Sequence, residues 1–145
     1  MSLDGALLHC VKQELSNLMG ARVDKIYQPS REEIVLSLRL LNSPDRSAKK
    51  LIFSANGGSA RVNLTSAEFE NPQSPPMFCM LLRKHLGGGR LIDIRQDGLE
   101  RILYFDFECT NEIGDIVVNT VVSEIMGRHS NIIIVRGGRV VDSIK

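Results

Sequence analysis

The chain has 145 residues, 43% hydrophobic and 24% charged, and its 18 Lys and Arg against 17 Asp and Glu leave a formal net charge of +1 at pH 7. Such a length suits one domain that buries roughly two-thirds of its unfolded surface, and such a composition excludes the disordered and membrane classes. The near-neutral charge singles out no partner. Cys10, Cys79 and Cys109 are odd in number and far apart, with no C-x-x-C spacing, which excludes a disulfide framework or zinc site and fits a reducing cytoplasm. With no basic-then-apolar leader and no run of about 20 apolar residues, neither export nor a membrane span is expected.

Ser2 to Met19 is expected as the first helix, capped by Ser2 or Asp4, with Leu7, Leu8, Val11, Leu15 and Leu18 as its apolar stripe and Gly20 as its end. Strands are predicted over Arg22 to Gln28, closed by Pro29, and over the alternating run Ile34 to Leu40. Pro44 to Ala48 reads as a loop. Leu51 to Ala55 and Arg61 to Thr65 read as two more strands split by Asn56-Gly57-Gly58, and Glu68 to Ser74 as a linker.

The linker delivers the chain into the stretch around which the rest is organised. Ser74 is placed to cap a second helix with Pro75 at its first position, and Phe78, Leu81, Leu82 and Leu86 form a buried face with Met77 beside them. Arg83 and Lys84 point outward. Gly87 is expected in the left-handed conformation that closes the helix, and Gly88-Gly89 leave room for a partner's backbone. Further strands follow at Arg90 to Arg95, Ile102 to Cys109 and Ile116 to Ile125, and Asn131 to Val135 with Val140 to Ile144 flank the tight turn Gly137-Gly138. No internal repeat is present. Residues 1–145 are therefore read as a single mixed domain of eight or nine short strands with two helices, arranged as a sandwich.

The residue types offer little catalytic chemistry. His9, His85 and His129 are isolated, with no spacing for a metal, and no cofactor is expected. Asp4, Asp93, Asp97, Glu100 and Glu124 are carboxylates that default to solvated surface, and no G-x-S-x-G, P-loop or G-x-G-x-x-G pattern is present, so no small-molecule substrate is expected. Local charge remains. From Arg83 to Arg101 five basic residues (Arg83, Lys84, Arg90, Arg95, Arg101) stand against three acidic ones around the glycine loop, and Arg128 lies in a second basic turn. A phosphate backbone favours such surfaces, although solvated helix and strand ends look the same in sequence.

Several blocks carry a likeness: Lys25-Ile-Tyr-Gln-Pro29, Glu70-Asn-Pro72, Pro75 to Leu86, Asn111-Glu-Ile-Gly-Asp115 and Glu124 to Asn131, with Met1-Ser-Leu-Asp-Gly5 and Ala60-Arg-Val62. Together they resemble the NFACT-N domain, the N-terminal domain of the fibronectin-binding protein A and RqcH family. The resemblance implies an α+β fold, mainly an antiparallel β-sandwich with two helices, similar to the N-terminal domain of formamidopyrimidine-DNA glycosylases. It implies a cytoplasmic ribosome quality-control factor that binds stalled large ribosomal subunits carrying peptidyl-tRNA and recruits tRNA for untemplated C-terminal tailing. It also implies that the chain is the N-terminal fragment of a longer multidomain protein.

Site residues follow from the same resemblance. The family pairs an Asp with an Arg before a strand, and here Glu100 and Arg101 occupy those positions, the Asp replaced by Glu. Glu124-Ile125-Met126 matches the family unchanged. From local charge alone, Arg83, Lys84 and Arg128 are expected to add phosphate contacts. The chain begins Met1-Ser2-Leu3 where the glycosylases carry a nucleophilic proline amine followed by Glu, so an enzyme is not expected. A second reading of the family's name is an adhesin that binds fibronectin at the cell surface.

Overall fold

A computed structural model describes residues 5–40 and 48–145, apart from the side chain of Leu7. Helix α1 spans Gly5–Leu15 and passes into a 3-10 turn, Ser16–Leu18. Strands β1 (Arg22–Ser30), β2 (Glu33–Arg39), β3 (Ala48–Ser54) and β4 (Arg61–Thr65) precede helix α2, Met77–Leu86. Then come β5 (Arg90–Arg95), β6 (Ile102–Thr110), β7 (Ile116–Glu124), β8 (Asn131–Arg136) and β9 (Arg139–Ser143), with a 3-10 turn at Gly127–His129. The fold is α+β, a mainly antiparallel sheet with two helices. The first helix, expected to run on to Met19, ends at Leu15, where the chain tightens into the 3-10 turn. Its proposed caps Ser2 and Asp4, the side chain of Leu7 and most of the Pro44 to Ala48 loop lie outside the described residues.

Where a sandwich is expected, the described strands form one sheet. Its nine strands run β4-β3-β2-β1-β5-β6-β7-β8-β9, every strand antiparallel to its neighbour. The sheet bends where β1 meets β5, a seam with a single register pair, Arg22 with Arg90. Backbone bonds close the seam: the Gly20 N–H donates to the Leu91 carbonyl at 2.8 Å, Leu91 to Ala21 at 2.9 Å and Val23 to Gly89 at 2.8 Å. Bent there, the two wings bring Phe53 of β3 against Phe105 of β6, ring centroids 5.0 Å apart and edge to face at 77°. Phe53, Phe105, Phe107, Leu36, Leu51 and Leu82 are all buried in the core this creates.

Local chemistry corrects several expectations. Helix α2 starts at Met77 behind Pro76, with no side-chain cap from Ser74. Ser74 and Pro75 each precede a proline, which disfavours helical backbone at both, so the helix waits until Pro-Pro has passed. Met77 is 71% exposed rather than part of the buried face, Leu81 is half-buried, and Cys79 takes an inward place beside Phe78, Leu82 and Leu86. Gly87 has φ −55° and ψ 126°, and Gly88 has φ 76°. With the Gly89 N–H donating to the Leu86 carbonyl at 2.8 Å, these angles make a type II turn whose left-handed position falls on Gly88, not Gly87.

The glycine loop is also not open to a partner's backbone. The Gly88 N–H donates to the Val23 carbonyl at 3.0 Å and the Gly89 carbonyl accepts from Val23, so β1 already occupies that approach. Pro29 does not end β1, which runs on to Ser30 with a shift in register after Tyr27. On β2 every residue from Ile34 to Leu38 is buried, because its outer face is covered as well. Glu68, Phe69 and Asn71 of the expected linker line a cleft over that face with Val35 and Ser37.

Candidate functional site

Strands β6 and β7 pair from Ile102 with Glu124 at one end to Thr110 with Ile116 at the other. The first end carries both blocks that the resemblance singles out. The Ile125 N–H donates to the Arg101 carbonyl at 2.9 Å, extending the ladder one step past Ile102 and setting the two blocks side by side. An open cleft of about 510 Å³ results, lined by Gly5, Leu99, Glu100, Arg101, Ile102 and Met126.

Each wall of this cleft is held from behind. Gly98 turns the chain with φ 60° and the Glu100 N–H donates to the Asp97 carbonyl at 3.2 Å, which throws Leu99 to Arg101 outward. The Gln96 amide then donates to the Gly5 carbonyl at 3.1 Å and the Glu100 carbonyl at 2.5 Å, with His9 Nδ1 3.3 Å from Gln96 Oε1. This clamps the loop to the start of α1. Gly5 has to be glycine at this contact, since a Cβ there would overlap the Leu99 carbonyl. Opposite, the fully buried Ser130 hydroxyl accepts from the Met126 N–H at 2.8 Å and donates to the Gly127 carbonyl at 2.6 Å, and Gly127 turns with φ 59°.

The side chains at the mouth are uncommitted. Arg101 and Glu100 are exposed, and neither forms an ion pair or side-chain hydrogen bond with a described residue. Glu100 therefore does not hold the Arg101 guanidinium in place. Met126 and Glu124 are half-buried, while Ile125 is fully buried, so its side chain serves the core and its backbone the cleft. Arg128, exposed, follows Met126 in the 3-10 turn and packs its backbone on Gly57, where a Cβ would stand 2.9 Å from the Arg128 Cα.

The structure separates Arg83 and Lys84 from this group. The Arg83 guanidinium donates through Nε and Nη2 to the Ile26 carbonyl at 3.0 and 2.8 Å, which anchors α2 to β1. Lys84 pairs with Glu112 at 3.2 Å, beside the far end of the β6–β7 hairpin. Among the described residues no cluster of His, Cys, Asp and Glu could hold a metal ion, and no helix is long and apolar enough to cross a membrane. Burial pushes the Cys79 and Cys109 thiols up from their ordinary pKa, which disfavours the nucleophilic thiolate. Gln96, Gly5 and Ser130 were not legible as site residues. Gly5 and Ser130 left a trace only as members of the blocks that carry the family likeness, and Gln96 left none.

Comparison with known proteins concerns the chain as a whole. Residues 4–145 match the family of NFACT N-terminal and middle domains. The chain is 42% identical over 148 residues to Rqc2 homolog RqcH of Bacillus subtilis (strain 168), covering 100% of this chain and 25% of that protein. It is 33% identical over 101 residues to the ribosome quality control complex subunit NEMF of Homo sapiens, covering 69% of this chain and 9% of that protein. The solved N-terminal structure of the fibronectin/fibrinogen-binding protein from Streptococcus suis superposes with a TM-score of 0.93 at 43% identity, over 99% of this chain and 54% of that one. The chain thus spans about a quarter of the length of the RqcH protein it matches.

Proposed function

The chain belongs to the family of NFACT N-terminal and middle domains, and on that basis we propose that it is the RNA-binding module of a cytoplasmic ribosome quality-control factor. In this reading the whole protein binds stalled large ribosomal subunits with peptidyl-tRNA and recruits tRNA for untemplated C-terminal tailing. The chain is a binding surface in that process and not the catalyst. One observation carries the reading: Arg101, free of any described partner, and Met126 line one open cleft whose walls are clamped from behind. A guanidinium so presented offers a planar fork of donors to a phosphate or base edge, and the thioether beside it offers a polarizable apolar surface.

The test is binding of labelled tRNA across 50 to 200 mM salt. Wild-type affinity is expected to fall steeply with salt, and Arg101→Ala is expected to weaken binding at unchanged melting temperature. In the full-length protein Arg101→Lys is expected to abolish tailing of stalled nascent chains, because lysine lacks the fork. Glu100→Asp is expected to be tolerated. Salt-indifferent binding, or full activity in Arg101→Lys, refutes the assignment. A second reading comes from the name of the Streptococcus suis structure: a surface for fibronectin. Capture on immobilised fibronectin without any tRNA binding would favour it.

A further inference from the structure

A second cleft, of about 150 Å³, opens at the other end of the β6–β7 hairpin, against the C-terminal end of α2. Eight residue steps along β6 separate the ends, roughly 27 Å at about 3.3–3.4 Å per residue. Lys84, His85, Glu112, Asn119 and Arg136 contribute to its walls.

Asn119 carries the argument. It is 2% exposed, and its Nδ2 donates to the His85 carbonyl at 2.6 Å, which fixes the orientation of the amide. Its Oδ1 is buried and has no hydrogen-bond partner. The neighbouring Cys109 thiol donates instead to the Phe107 carbonyl, at 3.6 Å. A buried acceptor without a donor is rare enough to require an explanation.

The surrounding charge supplies one. Arg136 forms no ion pair or side-chain hydrogen bond with a described residue. Lys84 is held by Glu112 alone, in a pair whose side chains are 59% and 79% exposed, which a better-placed anion can displace. Burial and the charges of Lys84 and Arg136 lower the pKa of His85, so its imidazole adds no charge of its own near neutrality. An anion without a proton, such as sulfate, would satisfy Arg136 and Lys84 and leave Asn119 Oδ1 unpaired. A ribose phosphate satisfies all three, because its 2′-hydroxyl is a donor.

We propose that this cleft binds a ribose phosphate of an RNA strand, with Arg136 and Lys84 on the phosphate and Asn119 Oδ1 accepting from the 2′-hydroxyl. This rests on the RNA-binding reading above and adds a second contact at the opposite end of the same hairpin. It also makes the surface selective for RNA over DNA.

The experiment measures binding of labelled tRNA, and of oligoribonucleotide and oligodeoxyribonucleotide of one sequence, to the wild-type chain and to Arg136→Gln, Asn119→Leu and Arg101→Ala. Arg136→Gln is expected to weaken tRNA binding several-fold and lower the salt slope by about one. Asn119→Leu is expected to erase the preference for the ribo-oligonucleotide. Should that buried substitution unfold the chain, the wild-type comparison of the two oligonucleotides takes its place. Wild-type affinity and slope in Arg136→Gln, with binding lost in Arg101→Ala, overturns this cleft and leaves the first site standing. Equal wild-type affinity for the two oligonucleotides overturns the hydroxyl contact, and absence of any RNA binding by the wild type overturns both proposals.

Discussion

Replacing Gly89 by alanine puts a methyl group where three parts of the chain converge. Its Cβ would stand 2.7 Å from Cys109 Sγ, 2.9 Å from the Leu86 carbonyl oxygen and 3.4 Å from the Glu108 carbonyl oxygen. Two of these neighbours are backbone, and Gly89 itself is tied at both ends. Its N–H bonds the Leu86 carbonyl at 2.8 Å and its carbonyl accepts from Val23 at 2.8 Å across the seam of the sheet. Relief by movement therefore breaks a seam bond. Overpacking costs about 1–3 kcal/mol and a lost hydrogen bond about 1 more, so Gly89→Ala should cost about 2–4 kcal/mol. At roughly 2–4 °C per kcal/mol for a chain of this size, the melting temperature should fall by about 4–16 °C.

Gly88→Ala provides the contrast. Nothing lies within 4 Å of its Cβ, so its cost should be the left-handed backbone at φ 76°, about 1–2 kcal/mol. In a double-mutant cycle Cys109→Ala should relieve part of the Gly89→Ala cost, since it removes the nearest contact. Urea denaturation followed by circular dichroism measures all four variants. A Gly89→Ala chain within about 0.5 kcal/mol of wild type would refute the sealed seam.

Leu82, 1% exposed in the core, should cost roughly 2–5 kcal/mol on truncation to alanine, read from the same urea curves. His85 has a depressed pKa in the folded chain, chiefly from burial, so the unfolded state binds the extra proton first and stability should fall as pH drops below about 6.5. His85→Gln should flatten the melting temperature between pH 7.5 and 5.5, and an unchanged profile would remove His85 from that linkage. Of the three cysteines, Cys10 is exposed while Cys79 and Cys109 are 0% and 7% exposed, so a thiol reagent should label one site quickly in the native chain and all three in urea.

Strand positions were largely legible because a strand's apolar pattern is local. Arg61–Thr65 and Arg90–Arg95 agree to the residue with the expectation, and Ile102–Thr110 differs by a single residue. The helix start differs for a local reason: Pro75 alone suits a first helical position, but Pro76 after it disfavours helical backbone there. Exposure of Met77 follows from the same shift, since it leaves that residue in the first turn. The strand β2 misled for a different reason. Its alternation of Ile34, Leu36 and Leu38 with Val35 and Ser37 implied one wet face, and the segment holding Phe69 covers that face from outside.

The sequence by itself determined where most of the strands lie and where α2 ends, and its likeness to a family pointed to Glu100-Arg101 and Glu124 to Met126. It could not show that these blocks meet, since their adjacency rests on a backbone bond from Ile125 to Arg101 between segments more than twenty residues apart. Nor could it show that the glycine loop is filled by β1, or that Arg83 and Lys84, neighbours in the chain, are drawn to different partners. Periodicity reports the face a residue presents. Which distant backbone or side chain lies opposite that face depends on strand order and on the bend between β1 and β5, and these exist only once the whole core has closed.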